Sequence, residues 1–195
     1  MILSKPRLSK TAVIVIATVA CSFTMQASAP RGWILAGSKP SNYETGIDPQ
    51  ATYRDAQSAY LKARTPSEGE TGFGTLMQSF RAERYLGKQV RLSGFVKADG
   101  VQGWAGLWMR VDKNSKVVAF DNMEDRPIKG TNDWQRYEVV LAVPKDATAI
   151  SFGVLLAGAG TVWLNNTNFE VVQSDVPTTG RMLPDTPANL NFQEY

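Results

Sequence analysis

Between residues 73 and 172, apolar side chains return at every second position in one short run after another. Glycine, proline, asparagine and aspartate cluster between the runs. On a strand, alternate side chains point to opposite faces, so this period of two makes each run half-buried. No stretch sustains a helical period. Recurring short strands with turn chemistry between them predict an all-β, antiparallel β-sandwich.

The individual runs follow from the same pattern. Residues 31–37 form a first strand with Trp33, and residues 38–50 read as a loop. Residues 51–64 are ambiguous between helix and strand, and the strand is taken for residues 58–64. Further strands are expected at residues 73–81, 89–97, 106–112, 117–120, 134–143, 149–157 and 161–172. Ala98-Asp99-Gly100 reads as a turn and residues 121–133 as a long polar loop. The run at 149–157 is almost wholly apolar, as for a central strand covered on both sides. Trp134 and Trp163 read as core, because aromatics of that size dominate burial.

The first 29 residues have a different character. Lys5, Arg7 and Lys10 precede an unbroken run of small and apolar residues at 11–20. That is the form of an export leader, too short to span a bilayer comfortably. Ala27-Ser28-Ala29 offers a cleavage site, and Cys21 offers a lipid-anchor site as a second reading; plain export fits the flanking residues better. The chain has 21 Lys and Arg against 18 Asp and Glu, and all three cations of the leader leave with it. The remainder is then balanced at 18 of each sign, with no field to gather nucleic acid. There is no histidine, and Cys21 is the single cysteine. Histidine-based triads, thiol catalysis in the mature chain and the usual zinc sites are thereby excluded. The expected organisation is a leader at 1–29, one domain at 31–172 and a flexible tail at 173–195.

Gly-Phe-Val-Lys (94–97), Gly-Leu-Trp-Met-Arg-Val-Asp (106–112), Asp-Asn-Met (121–123) and Asp-Trp-Gln-Arg-Tyr (133–137) occur in succession. Val-Pro-Lys-Asp-Ala-Thr-Ala-Ile-Ser-Phe-Gly (143–153) and Gly-Thr-Val-Trp-Leu (160–164) follow. Together they resemble galactose-binding-like jelly-roll modules over about residues 33–172. Such modules occur in bacterial carbohydrate-binding proteins, beside secreted hydrolase domains and with transcription regulators. The resemblance implies a jelly-roll and a non-catalytic accessory role. Relatives commonly carry Asp-Asp or Asp-Asn after the Val-Trp-Leu strand. Here the pair is Asn165-Asn166, so a calcium site is not carried over, and no cofactor is expected.

The expected site is the outward face of residues 106–112. Leu107, Met109 and Val111 turn to the core, leaving Trp108, Arg110 and Asp112 outside. Trp108 would stack on a sugar ring while Arg110 fixes hydroxyls or a carboxylate. Gln78 and Phe95 would enlarge the surface if their strands are neighbours, and Asp121 and Asn122 add oxygen donors from the following loop. An exposed cross-strand ion pair would account equally well for Arg110. The implied partner is a carbohydrate or an envelope protein, with no nucleic acid and no transmembrane span in the mature chain. A hydrolase using Asp112 and Asp121 as paired carboxylates is the remaining alternative.

Overall fold

The computed structural model describes residues 28–64, 72–180, 190–191 and 193. Residues 1–27, with Cys21 and all but the end of the expected leader, and most of the last fifteen residues lie outside the described residues. The described residues form nine strands: β1 (Ile34–Gly37), β2 (Tyr43–Tyr53), β3 (Ala56–Ala63), β4 (Phe73–Arg81), β5 (Gln89–Lys113), β6 (Lys116–Asp121), β7 (Ile128–Ala142), β8 (Ala149–Ala157) and β9 (Thr161–Val172). All pairings are antiparallel. The β-sandwich of jelly-roll type is therefore present.

One strand belongs to both layers. Residues 89–99 of β5 pair with β9 on one side and β7 on the other, giving a first sheet β7-β5-β9-β3-β2. Residues 104–113 pair with β8 and β6, giving a second sheet β6-β5-β8-β4-β1. At the corner the register against β7 slips repeatedly between Val96 and Ala105. The turn expected at residues 98–100 is thus a bulged bend inside a strand of 25 residues; glycine and aspartate loosen the ladder without ending it. Gly103 permits the crossing, because a Cβ there would lie 2.2 Å from the Ala157 carbonyl oxygen.

The facing surfaces bury Val90, Leu92, Val96, Leu61, Val139 and Val162 from the first sheet. Leu107, Met109, Val111, Leu76, Ile150 and Leu156 meet them from the second. At one end Phe80, Tyr85, Phe152 and Phe169 close the core through rings 5.1–6.0 Å apart.

Three other expectations change. Residues 43–50 belong to β2 rather than a loop, since their partners on β3 lie too far along the chain to be seen locally. β7 starts at Ile128, so the loop after Phe120 is short. Residues 173–180, expected in a flexible tail, bond back into the domain. Thr179 N donates to Val140 O (3.0 Å), Val140 N donates to Thr179 Oγ1 (2.8 Å) and Gln89 Nε2 donates to Val176 O. The unpaired edge of β7 supplies the Val140 groups and β5 the Gln89 side chain, which proline-rich composition alone does not reveal.

Truncating Leu107 to Ala, at 0% exposure in the centre of the core, is expected to cost about 3 kcal/mol. Urea unfolding should show a lower midpoint with an unchanged slope.

Candidate functional site

The outer face of the second sheet is apolar, and a groove of about 550 Å³ runs over it. Strand parity builds it: Phe73, Thr75 and Met77 from β4, Leu155 and Ala157 from β8, Trp104, Trp108 and Arg110 from β5 and Phe120 from β6, with Asn122 just beyond. Phe73 and Phe120, 38% and 46% exposed, stand on strands three spacings apart, about 14 Å.

Trp108 is the floor. It is 7% exposed, and its Nε1 donates to Thr75 Oγ1 (2.7 Å), which in turn donates to Val154 O (2.8 Å). Thr75 lies two strands away, so the indole must cross β8. The residue paired with Trp108 there is Gly153, where a Cβ would lie 2.2 Å from the Leu76 carbonyl oxygen of β4. The expected stacking platform is therefore a packed, hydrogen-bonded structural residue. Trp104, half-buried on the same face, is the aromatic left open.

Arg110 lines the groove as expected. Its Nε donates to Asp112 Oδ2 (3.0 Å), with side-chain exposures of 41% and 12%. Asp112 is thus the counter-ion of Arg110 rather than a ligand group. Asn122 also lines the groove, and its Oδ1 accepts from Glu124 N (3.2 Å) in a tight turn.

Gln78, Phe95 and Asp121 do not join this surface. Gln78 pairs with Phe152, whose ring is in the core, so its phase on β4 is opposite to that of Thr75 and Met77. Phe95 lies on the first sheet, stacked on Tyr53 at 4.1 Å, because β5 has changed layers before reaching Trp108. Asp121 points inward. Arg126 grips it through Nη2 to Oδ2 (2.5 Å) and Nη1 to Oδ1 (3.2 Å), while Met123 N and Thr179 Oγ1 donate at 2.8 and 2.5 Å. Burial works to raise this carboxyl's pKa, but the bonds from Arg126, Thr179 and Met123 outweigh it and hold the value below 3.8.

Two tryptophans read as core sit outside it. Trp134 and Trp163 are half-buried on the outer face of the first sheet, in phase with Arg136 and Tyr60 rather than with Val139 and Leu164. Asn165 is buried, and its amide donates to Ala56 O, Gln57 O and Ser58 Oγ at 2.9–3.1 Å. A carboxylate could not make those bonds, which explains the amide at this position. Among the described residues no cluster of three or more acids, cysteines or histidines is placed to hold a metal. No helix there is long and apolar enough to cross a membrane.

No family model matches the chain. The chain is 48% identical over 170 residues to the uncharacterized HTH-type transcriptional regulator YbfP of Bacillus subtilis (strain 168). That match covers 84% of this chain and 57% of the regulator, so the chain spans little more than half of that relative's length. Among solved structures, the xylan-binding CBM22-1 domain of Paenibacillus barcinonensis Xyn10C aligns with a TM-score of 0.51 and 15% identity. It covers 76% of this chain and 91% of that one. The enzymatically active domain of bacteriophage CBA120 tailspike protein 4 aligns at 0.53 and 16% identity, over 73% and 20% respectively. At such identities the likeness is one of fold: this chain is a β-sandwich of the kind used by carbohydrate-binding modules.

Because the carboxyl of Asp121 titrates lower when folded, its contribution is whole above the unfolded value of 3.8 and lost as pH falls through the folded one. Asp121→Asn is expected to cost about 3 kcal/mol at neutral pH. In urea titrations across pH, the gap between variant and native protein should narrow below pH 3.8.

Proposed function

We propose that this domain is a non-catalytic binding module whose groove holds a carbohydrate or similar polar ligand. The observation that carries this reading is the groove itself. An aromatic floor and lips are joined by one guanidinium and one amide.

The chemistry follows from those groups. A sugar ring offers an apolar C–H face to an aromatic and hydroxyls to its rim. Trp104, Phe73 and Phe120 would cover the ring face, and Arg110 and Asn122 would take hydroxyls or a carboxylate. The bond from Trp108 to Thr75 and the pairing of Arg110 with Asp112 fix two of these groups before a ligand arrives, which lowers the ordering cost of binding. Among the described residues no carboxylate lines the groove. Asp112 and Asp121 are each paired with an arginine, which argues against their serving as the acid and base of a glycoside hydrolase.

Export through the first 29 residues is part of the proposal for this chain. Mass spectrometry of the protein recovered from its producing cells should then show a mature chain starting near residue 30. An intact residue 1 on the bulk of the protein overturns export.

Isothermal titration against a panel of plant and cell-wall polysaccharides tests the groove. At least one should bind, and Trp104→Ala with Arg110→Ala should weaken it by roughly a hundredfold, about 1.4 kcal/mol for each residue. Binding unchanged in that double variant would place the ligand elsewhere.

A further inference from the structure

The outer face of the first sheet carries a second cavity, of about 300 Å³, on the other side of the molecule from the groove. Its centre is a cross-strand pair of aromatics, Tyr60 on β3 and Trp163 on β9. The next place in the row, on β2, is Gly46. With no side chain there, the flank of Tyr60 is left open, and both rings are only half-buried.

Trp163 is held from behind. Its Nε1 donates to Asp48 Oδ2 (2.8 Å), while Asp48 Oδ1 accepts from Gln50 N (2.9 Å) and Ala51 N (3.2 Å). That carboxyl lies below its ordinary value, chiefly through the Trp163 bond. A tryptophan on a solvent-facing sheet thus has its one polar atom tied to a carboxylate that is itself tied to the backbone. This is how a ring is held ready for a ligand.

The surrounding charges select what the ring would receive. Glu44, Asp48 and Asp99 line the cavity against a single ammonium, Lys62. Lys97, beside Trp163, is drawn 3.7 Å from Asp133 on β7, and Arg64 donates to Tyr43 O (2.9 Å). Asp99 accepts from Thr131 (3.1 Å), and Glu44, directly across the ladder from Lys62, lines the cavity beside Tyr60. Aromatic faces with carboxylates at their edge attract a cation through the ring quadrupole and through charge together.

From this we infer that the cavity formed by Tyr60, Trp163 and Glu44 is a second binding site, for a ligand that presents a primary ammonium group. An amino sugar and a linear polyamine share that chemistry. This site stands independently of the groove.

The test uses the ¹⁵N-labelled protein and follows the Trp163 indole N–H resonance. The probes are the glucosamine dimer chitobiose, its N,N′-diacetyl form and spermidine, at roughly 20 mM, well above a millimolar dissociation constant. Chitobiose or spermidine is expected to move the Trp163 resonance and the backbone signals of Glu44 and Lys62, while the diacetyl form leaves them in place. Movement with chitobiose alone assigns an amino sugar, and with spermidine alone a polyamine. Glu44→Gln, on the sheet surface, should weaken binding about fivefold, and Trp163→Phe more. Trp104→Ala, in the groove, should change nothing. Equal response to the acetylated and free dimers, no response to either ammonium probe, or unaltered binding in both cavity variants overturns the inference.

Discussion

The double membership of β5 is the constraint on which the rest depends. A strand of 25 residues that pairs in one sheet and then in the other must change its hydrogen-bonding neighbours without losing its alternation. The bulged stretch before Ala105 achieves this. Beyond it, Leu107, Met109 and Val111 still face Leu92 and Val96 across the core. Every residue of the groove that comes from β5 owes its direction to that corner. So does the separation of Phe95 from Trp108, which are only thirteen positions apart in the chain.

The two outer faces that result are chemically unlike. On the second sheet the outward positions of β4 and β8 are themselves small or apolar, so a tryptophan placed among them sinks and becomes part of the packing. A strand such as β8 is then buried on both sides although its sheet faces solvent. The first sheet carries charges instead. Arg91 is 2.8 Å from Glu170 and 3.8 Å from Glu138, and Arg136 is 2.7 Å from Glu138. Half-exposed pairs of this kind contribute little to stability individually. They keep that face wet, so its aromatic rings stay accessible.

Much of the sandwich was legible because the phase of a strand is written in its own residues. The inward trio of β5 and the buried run of β8 are read in this way. What was not legible depends on partners distant in sequence. The burial of Trp108 rests on Thr75, 33 positions earlier and two strands away. The phase of Gln78 is ambiguous in a run as mixed as Phe-Gly-Thr-Leu-Met-Gln-Ser, and only its pairing with Phe152 resolves it. Trp163 was taken for core on size, although Val162 and Leu164 on either side already claimed the inward phase. The outward direction of Arg110 follows from alternation and Asn122 from the loop after Phe120, and both line the groove. The open aromatics Trp104, Phe73 and Phe120 come from three strands and carry no local signal that they meet.

The Asp121 cluster has a geometric consequence. Phe120 and Asn122 border the groove, while the residue between them turns inward to hold Thr179. Gly180 lies so close that a Cβ would come 2.8 Å from the Phe120 carbonyl oxygen. Residues 120–122 therefore alternate between two sides, with the rim of the groove outward and the anchor of residues 173–180 inward. Residue 180 thus lies against Phe120, at the rim of the groove, and one carboxylate ties the rim and the segment 173–180 to the same arginine.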